Sequence, residues 1–104
     1  ETINLFTGYQ SSISRRGYGF DKPEKNNTNR PEPYPCLSAS PLTFGHTGFT
    51  GTCTWADPEK KLVFVFLSNR VSPKGDNPLL GKLNIRPAIH ETIYKALEAG
   101  KTNK

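Results

Sequence analysis

Apolar and polar positions alternate most clearly in the second half of the chain. Thr52 to Ala56 sets Cys53 and Trp55 on one side and Thr52 and Thr54 on the other, the period of two expected of a half-buried strand. Leu62 to Leu67 is apolar at every position, which predicts a strand covered on both faces. Between these two runs, Asp57-Pro58-Glu59-Lys60 reads as a turn, because proline presets φ at the second position and Asp suits the first. Leu42 to Gly48 predicts a preceding strand, reversed through Gly48-Phe49-Thr50-Gly51. From about Pro87 to Ala99 the period changes. Ile85, Ile89 and Ile93 recur every four residues and Leu97 continues the stripe, predicting a helix. Pro87 suits its first turn, Glu91 and Lys95 are spaced for an i,i+4 pair, and Gly100 is placed to cap it. His90 then falls at a surface or boundary position, and Thr102 to Lys104 is expected to fray.

The first half carries weaker signals. Ile3, Leu5 and Phe6 make a short apolar patch, read as a helix end or a lead-in strand. Gly17-Tyr18-Gly19-Phe20 predicts a short strand. Asp21 to Pro35 holds four prolines and three asparagines, the composition of a long surface loop, and Ser68 to Lys82 is a second expected loop. Taken together, the elements predict an α+β unit: a partial antiparallel sheet of about three strands with a C-terminal helix packed on one face. Residues 1–20 form a lead-in with a short strand, 21–41 a surface loop, and 42–99 the sheet and helix. One feature resists this arrangement. The run Leu62 to Leu67 has only one evident neighbour, so its other edge either self-associates or marks the place of a missing part of the domain.

Composition narrows the function classes. At 104 residues the chain is one domain's worth of polypeptide at most, and opening on Glu1 it is expected to be a piece or a processed product. Its longest strongly apolar run is six residues, far short of the roughly 18 needed to span a membrane. A net charge of +5 raises nucleic-acid binding, with Arg15-Arg16 and Lys60-Lys61 as the basic clusters. However, Trp55 and the phenylalanines alternate as core residues rather than as a stacking platform, so no nucleic-acid partner is expected. His46 and His90 are the only histidines, and neither a metal site nor a cofactor is expected. Cys36 and Cys53 lie outside any CxxC pattern and read either as one disulfide or as two reduced, buried thiols.

The segment with candidate chemistry is Gly45-His46-Thr47-Gly48-Phe49-Thr50-Gly51. His46 and Thr47 sit near a strand end, where side chains reach a cleft, and Gly48 removes a side chain where a ligand could run beside the backbone. The plainer alternative is a tight connection with His46 as a surface residue.

FGHTGFTG followed by TWADPEKKLVFVFLSNR resembles the C-terminal part of the serine β-lactamase and penicillin-binding-protein superfamily, most closely its class C and esterase-like members. The resemblance runs from about Leu42 to Leu97, with a weaker echo over Arg16 to Phe20. It implies that His46 fills the cationic or hydrogen-bonding position of the family's Lys-Thr-Gly or His-Thr-Gly triplet, that Thr47 offers its hydroxyl to substrate, and that Gly48 keeps the strand flush with the acyl group. It further implies that the backbone N–H of Phe49 is half of an oxyanion hole, and that Asn69 lies near the substrate's polar end. None of the seven serines is followed by lysine three residues on, so the family's Ser-x-x-Lys nucleophile is absent, as is its Tyr-x-Asn or Ser-x-Asn motif. The chain therefore reads as the C-terminal part of a catalytic domain, inactive alone, whose partner is the missing N-terminal part of the same domain. The implied substrates of the whole are a cell-wall peptide, a β-lactam or an ester, and the implied location is the bacterial periplasm or the exterior. A non-catalytic module that binds cell-wall peptidoglycan through the same fold is the alternative.

Overall fold

The computed structural model describes residues 1–73, 75 and 77–102. Its centre is a three-stranded antiparallel sheet of β1 (Phe44–Thr47), β2 (Cys53–Asp57) and β3 (Leu62–Phe66), in that spatial order. The register sets Gly45 beside Trp55 and Trp55 beside Phe64 on one face. On the other, His46 lies beside Thr54 and Thr54 beside Val65. The alternation in β2 is as expected, with Cys53, Trp55 and Asp57 buried and Thr54 exposed.

The C-terminal helix covers the first of these faces. Cys53, Trp55 and Phe64 form the apolar cluster, and Tyr34, Phe66 and Ile93 pack against it. Full burial of a side chain such as Phe64 contributes about 2–3 kcal/mol. The expected α+β architecture, a three-stranded sheet with a helix on one face, is the one found.

The helix is longer than its pattern predicted and is turned differently. It runs from Ile85 to Thr102, following Asn84 at φ 52°, and Gly100 lies inside it rather than capping it. Residues 103 and 104 of the expected frayed tail lie outside the described residues. The buried positions are His90 and Tyr94, while Ile89 and Leu97 are exposed. His90 was expected at the surface, yet it stacks on Phe64 with ring centroids 4.3 Å apart, and the Tyr94 hydroxyl donates to Asp57 at 2.6 Å. These two aromatic side chains take the places at the interface that the stripe gave to Ile89 and Leu97, with Ile93 still packed against the cluster beside them. Glu91 bonds to Ser38, accepting from its N–H at 2.9 Å and its hydroxyl at 2.5 Å. Burial would raise its carboxyl, but the Lys95 charge adds to these bonds in holding it below the ordinary value.

Earlier in the chain, α1 (Thr2–Thr7) resolves the lead-in as helix. Gly17 to Phe20 forms no strand. Gly19 at φ 76° breaks the extended path, and only Asp21 bridges to Gly45, with both backbone bonds at 2.8–3.0 Å. The expected surface loop 21–41 also anchors itself inward, since Asp21, Lys22, Cys36 and Ser40 are buried. Lys22 Nζ donates to the Thr43 carbonyl at 2.9 Å and lies 4.8 Å from the Tyr9 ring centre, so a charged residue has a place in the interior. The expected loop 68–82 contains a short helix, α2 (Leu79–Lys82). Cys36 and Cys53 are both free and buried; burial pushes the Cys36 thiol up to about 12.

β3 departs most from its pattern. It is an edge strand, and Val63, Val65 and Leu67 are 69%, 57% and 78% exposed. The sheet face opposite the helix is thus apolar and uncovered by any described residue. The radius of gyration, 14.6 Å, exceeds the roughly 13 Å of a compact domain of this length. Among the described residues no helix is long and apolar enough to cross a membrane.

Candidate functional site

Glycines determine the shape of the β1–β2 connection. A Cβ on Gly45 would lie 2.0 Å from the Thr54 carbonyl oxygen and 2.8 Å from the Trp55 ring, so only glycine lets β1 lie against Trp55. The Gly48 N–H donates to Thr52 O at 2.8 Å, and the Gly51 N–H to Gly48 O at 3.0 Å, closing a four-residue turn. Gly51 adopts φ 106°, a region that disfavours side chains, and a Cβ there would lie 2.5 Å from Ser68 Oγ.

The turn follows directly on His46 and Thr47, and the two side chains diverge as a strand requires. His46 stands exposed on the uncovered face, where Thr54, Val65 and Leu67 join it in lining a shallow groove of about 360 Å³. Its Nδ1 lies 2.6 Å from the Thr47 carbonyl oxygen. Because a carbonyl only accepts, this geometry puts a proton on Nδ1 and leaves Nε2 as the ring nitrogen for other work.

Thr47 is half-buried and lines a cavity of about 120 Å³ with Tyr34, Cys53, Arg86 and His90. Behind it, the Tyr34 hydroxyl donates to Asp21 Oδ2 at 3.0 Å. Arg16 and Arg15 approach the Asp21 carboxylate at 3.0 and 3.6 Å, and the Arg15 guanidinium lies 4.6 Å from the Tyr34 ring centre. Burial, followed by the Asp21 charge, pushes the Tyr34 phenol up to about 12. The hydroxyl therefore stays protonated as a donor.

Phe49 is the first central residue of the turn and is 72% exposed. No described group accepts from its backbone N–H. Its carbonyl accepts from Arg70 Nε, and the Arg70 guanidinium lies 4.7 Å from its ring centre. Asn69 is not brought into the His46 groove. Its Oδ1 accepts from the N–H groups of Val71 and Ser72 at 3.2 and 3.1 Å, and it lines a separate depression with Ser68, Arg70 and Leu79.

His46, Thr47, Gly48 and Phe49 thus form one contiguous exposed end of the sheet, with Asn69 apart from it. The Arg70 contacts on the turn were not foreseen. The Ser68-Asn69-Arg70 ending was visible, but nothing in a sequence says which carbonyl an arginine will reach. Among the described residues no cluster of His, Cys, Asp or Glu could hold a metal ion.

Residues 5–85 match a family model described as Beta-lactamase. A protein of Escherichia coli strain K12 described as "Putative D-alanyl-D-alanine carboxypeptidase" is 39% identical over 107 residues, covering 94% of this chain and 24% of that protein. A protein of Salmonella enteritidis PT4 with the same description is 35% identical over 78 residues, 75% of this chain and 17% of its own. The chain therefore spans about a quarter or less of the length of these curated relatives. No solved structure gives a significant match.

Proposed function

This chain belongs to the β-lactamase family, and we propose that it forms the C-terminal part of a serine hydrolase domain of the β-lactamase, penicillin-binding or esterase type. The observation that carries the reading is the end of β1. There His46 is exposed beside an uncovered sheet face, and the turn that follows presents a Phe49 N–H with no acceptor among the described residues. An N–H held at a turn without a partner is the donor an oxyanion needs.

In this reading the nucleophilic serine comes from the N-terminal part of the same domain, which packs on the face bearing Val63, Val65 and His46 and pairs with the free edge of β3. When the serine attacks a carbonyl, negative charge collects on the oxygen, and the Phe49 N–H stabilises it together with a second donor from that part. His46, through the nitrogen not bonded to Thr47, serves the proton network or the substrate's polar end. Thr47 and Gly48 line the acyl group's path, and Asn69 marks the far end of the substrate. The described geometry favours His46 and Phe49 over Thr47 and Asn69 as direct contacts. The chain alone is inactive, because it holds no serine with a lysine three residues on. The relatives' descriptions favour a D-amino-acid peptide of the cell wall as substrate over a β-lactam or simple ester, and hence a periplasmic or exported location.

The test is Phe49→Pro in the full-length protein. Proline fits the second position of a turn while removing the N–H, so the acylation rate should fall about 10²–10³-fold with substrate binding changed little. An unchanged acylation rate would remove Phe49 from the oxyanion hole.

A further inference from the structure

We propose that Arg70 is the positioning residue that holds the Phe49 turn in the shape in which its N–H can receive an oxyanion. The inference rests on the reading of Phe49 given above and adds to it the means by which an exposed turn is kept rigid.

The turn's internal bonds are few. Gly48 N–H to Thr52 O and Gly51 N–H to Gly48 O close its two ends, but neither fixes the central peptides. Burial does not fix them either, because the Phe49 ring is largely in solvent. What does engage them is the segment leaving β3. Three successive carbonyls of the turn accept from it: Phe49 O from Arg70 Nε, Thr50 O from the Arg70 N–H at 2.9 Å, and Gly51 O from Ser68 Oγ at 2.7 Å. Arg70 supplies two of these bonds and also places its guanidinium over the Phe49 ring. It therefore grips Phe49 at both carbonyl and side chain.

Arg70 is itself anchored. Its carbonyl accepts from the Asn77 N–H at 2.9 Å, and Asn69 caps the chain just beyond it. A planar guanidinium can satisfy a carbonyl and lie over a ring at once, which a lysine ammonium cannot do as well. Preorganisation is what makes an oxyanion donor effective, and a donor displaced by about 1 Å can lose about 10²-fold in rate. A clamp of this kind acts on the chemical step rather than on binding.

The experiment compares wild type, Arg70→Ala, Arg70→Lys and Phe49→Pro in the full-length protein, following acylation by a chromogenic β-lactam or thioester. Arg70→Ala should lower the acylation rate constant 10- to 100-fold, leave the pre-covalent dissociation constant within about twofold, and shift the melting temperature by no more than a few degrees. Added guanidinium ion should restore part of the rate in Arg70→Ala and none in wild type. Arg70→Lys should fall between the two, and it is read in the same way if Arg70→Ala does not fold. An unchanged acylation rate in these variants overturns the proposal, as does a loss shared equally by binding, acylation and melting temperature. A wild-type protein that forms no acyl adduct overturns the reading of Phe49, and this inference with it. Phe49→Pro slowing acylation while the Arg70 variants do not would overturn the Arg70 role alone.

Discussion

The Tyr94 hydroxyl donates to Asp57 Oδ2 at 2.6 Å, bonding the last residue of β2 to the middle of the C-terminal helix. The same carboxylate accepts from the Ser40 hydroxyl at 2.6 Å, the Ser40 N–H at 3.1 Å, and the turn N–H groups of Glu59 and Lys60 at 3.1 and 3.2 Å. Loop, turn, strand and helix thus meet at one buried charge.

Removing that charge should be costly. Asp57→Asn is expected to destabilise the full-length protein by about 2–4 kcal/mol and Tyr94→Phe by about 1.5–3 kcal/mol, the range for hydrogen bonds to a charged group. Burial alone would raise the Asp57 carboxyl, but its hydrogen bonds outweigh this and hold it below its ordinary value. A carboxyl lowered on folding contributes stability that is present above about pH 4 and lost as pH falls through the folded value. Urea unfolding from pH 5 to pH 2 should show this loss in wild type and a shallower dependence in Asp57→Asn. Equal slopes would show that Asp57 is not the linked group.

His90 contributes in a higher range of pH. Burial against Phe64 lowers its ring from 6.5 to about 4, although Glu91 and Asp57 oppose the shift. The folded state therefore binds fewer protons than the unfolded chain between these values. Its stabilisation is complete above about pH 6.5 and falls by about 3 kcal/mol on descending to pH 4. NMR titration of His90 should find the imidazole neutral at pH 5.5. An ordinary titration near 6.5 would contradict the stacked, dry environment.

The two glycines of the triplet strand should respond differently to alanine. At Gly45 the added Cβ meets the backbone oxygen of Thr54, which cannot move without breaking the hairpin. At Gly48 it meets Thr52 Oγ1 at 2.2 Å, and a threonine side chain can rotate. Gly45→Ala is expected to cost 3 kcal/mol or more and Gly48→Ala about 1–2 kcal/mol. Thermal melts of the two variants should differ accordingly, and a milder Gly45→Ala would mean that β1 lies less close to Trp55.

Much of this fold was legible in the chain. Cys53 and Trp55 announced the buried face of β2, and Asp57-Pro58 announced its turn. The helix was legible in place but not in phase, because periodicity counts Ile89 and Leu97 as core and cannot know that His90 and Tyr94 find Phe64 and Asp57. Leu62 to Leu67 signalled burial on both faces, yet Val63 and Val65 are exposed here. The pattern counts apolar residues but not neighbours, and β3 lies at the sheet edge with one face uncovered by any described residue. At the site, the His46-Thr47-Gly48 triplet was visible as a motif. The hold of Arg70 on Phe49 was not, since it depends on where two distant segments converge.

The same exposed valines predict behaviour in isolation. The 104-residue chain should self-associate at high micromolar concentration through the β3 edge and the face around Val65, and Val65→Lys should reduce this. Light scattering that finds a compact, cooperative wild-type monomer would contradict the expectation.

The central claim is that this chain supplies the triplet strand and an oxyanion donor to a serine supplied by the rest of its domain. It is tested most directly by intact mass after incubation with a fluorophosphonate and, separately, with a β-lactam. The full-length protein should gain one adduct on a serine outside these 104 residues, and the isolated chain should gain none. A stoichiometric adduct on a serine of the isolated chain, or none on the full-length protein with either reagent, would contradict it.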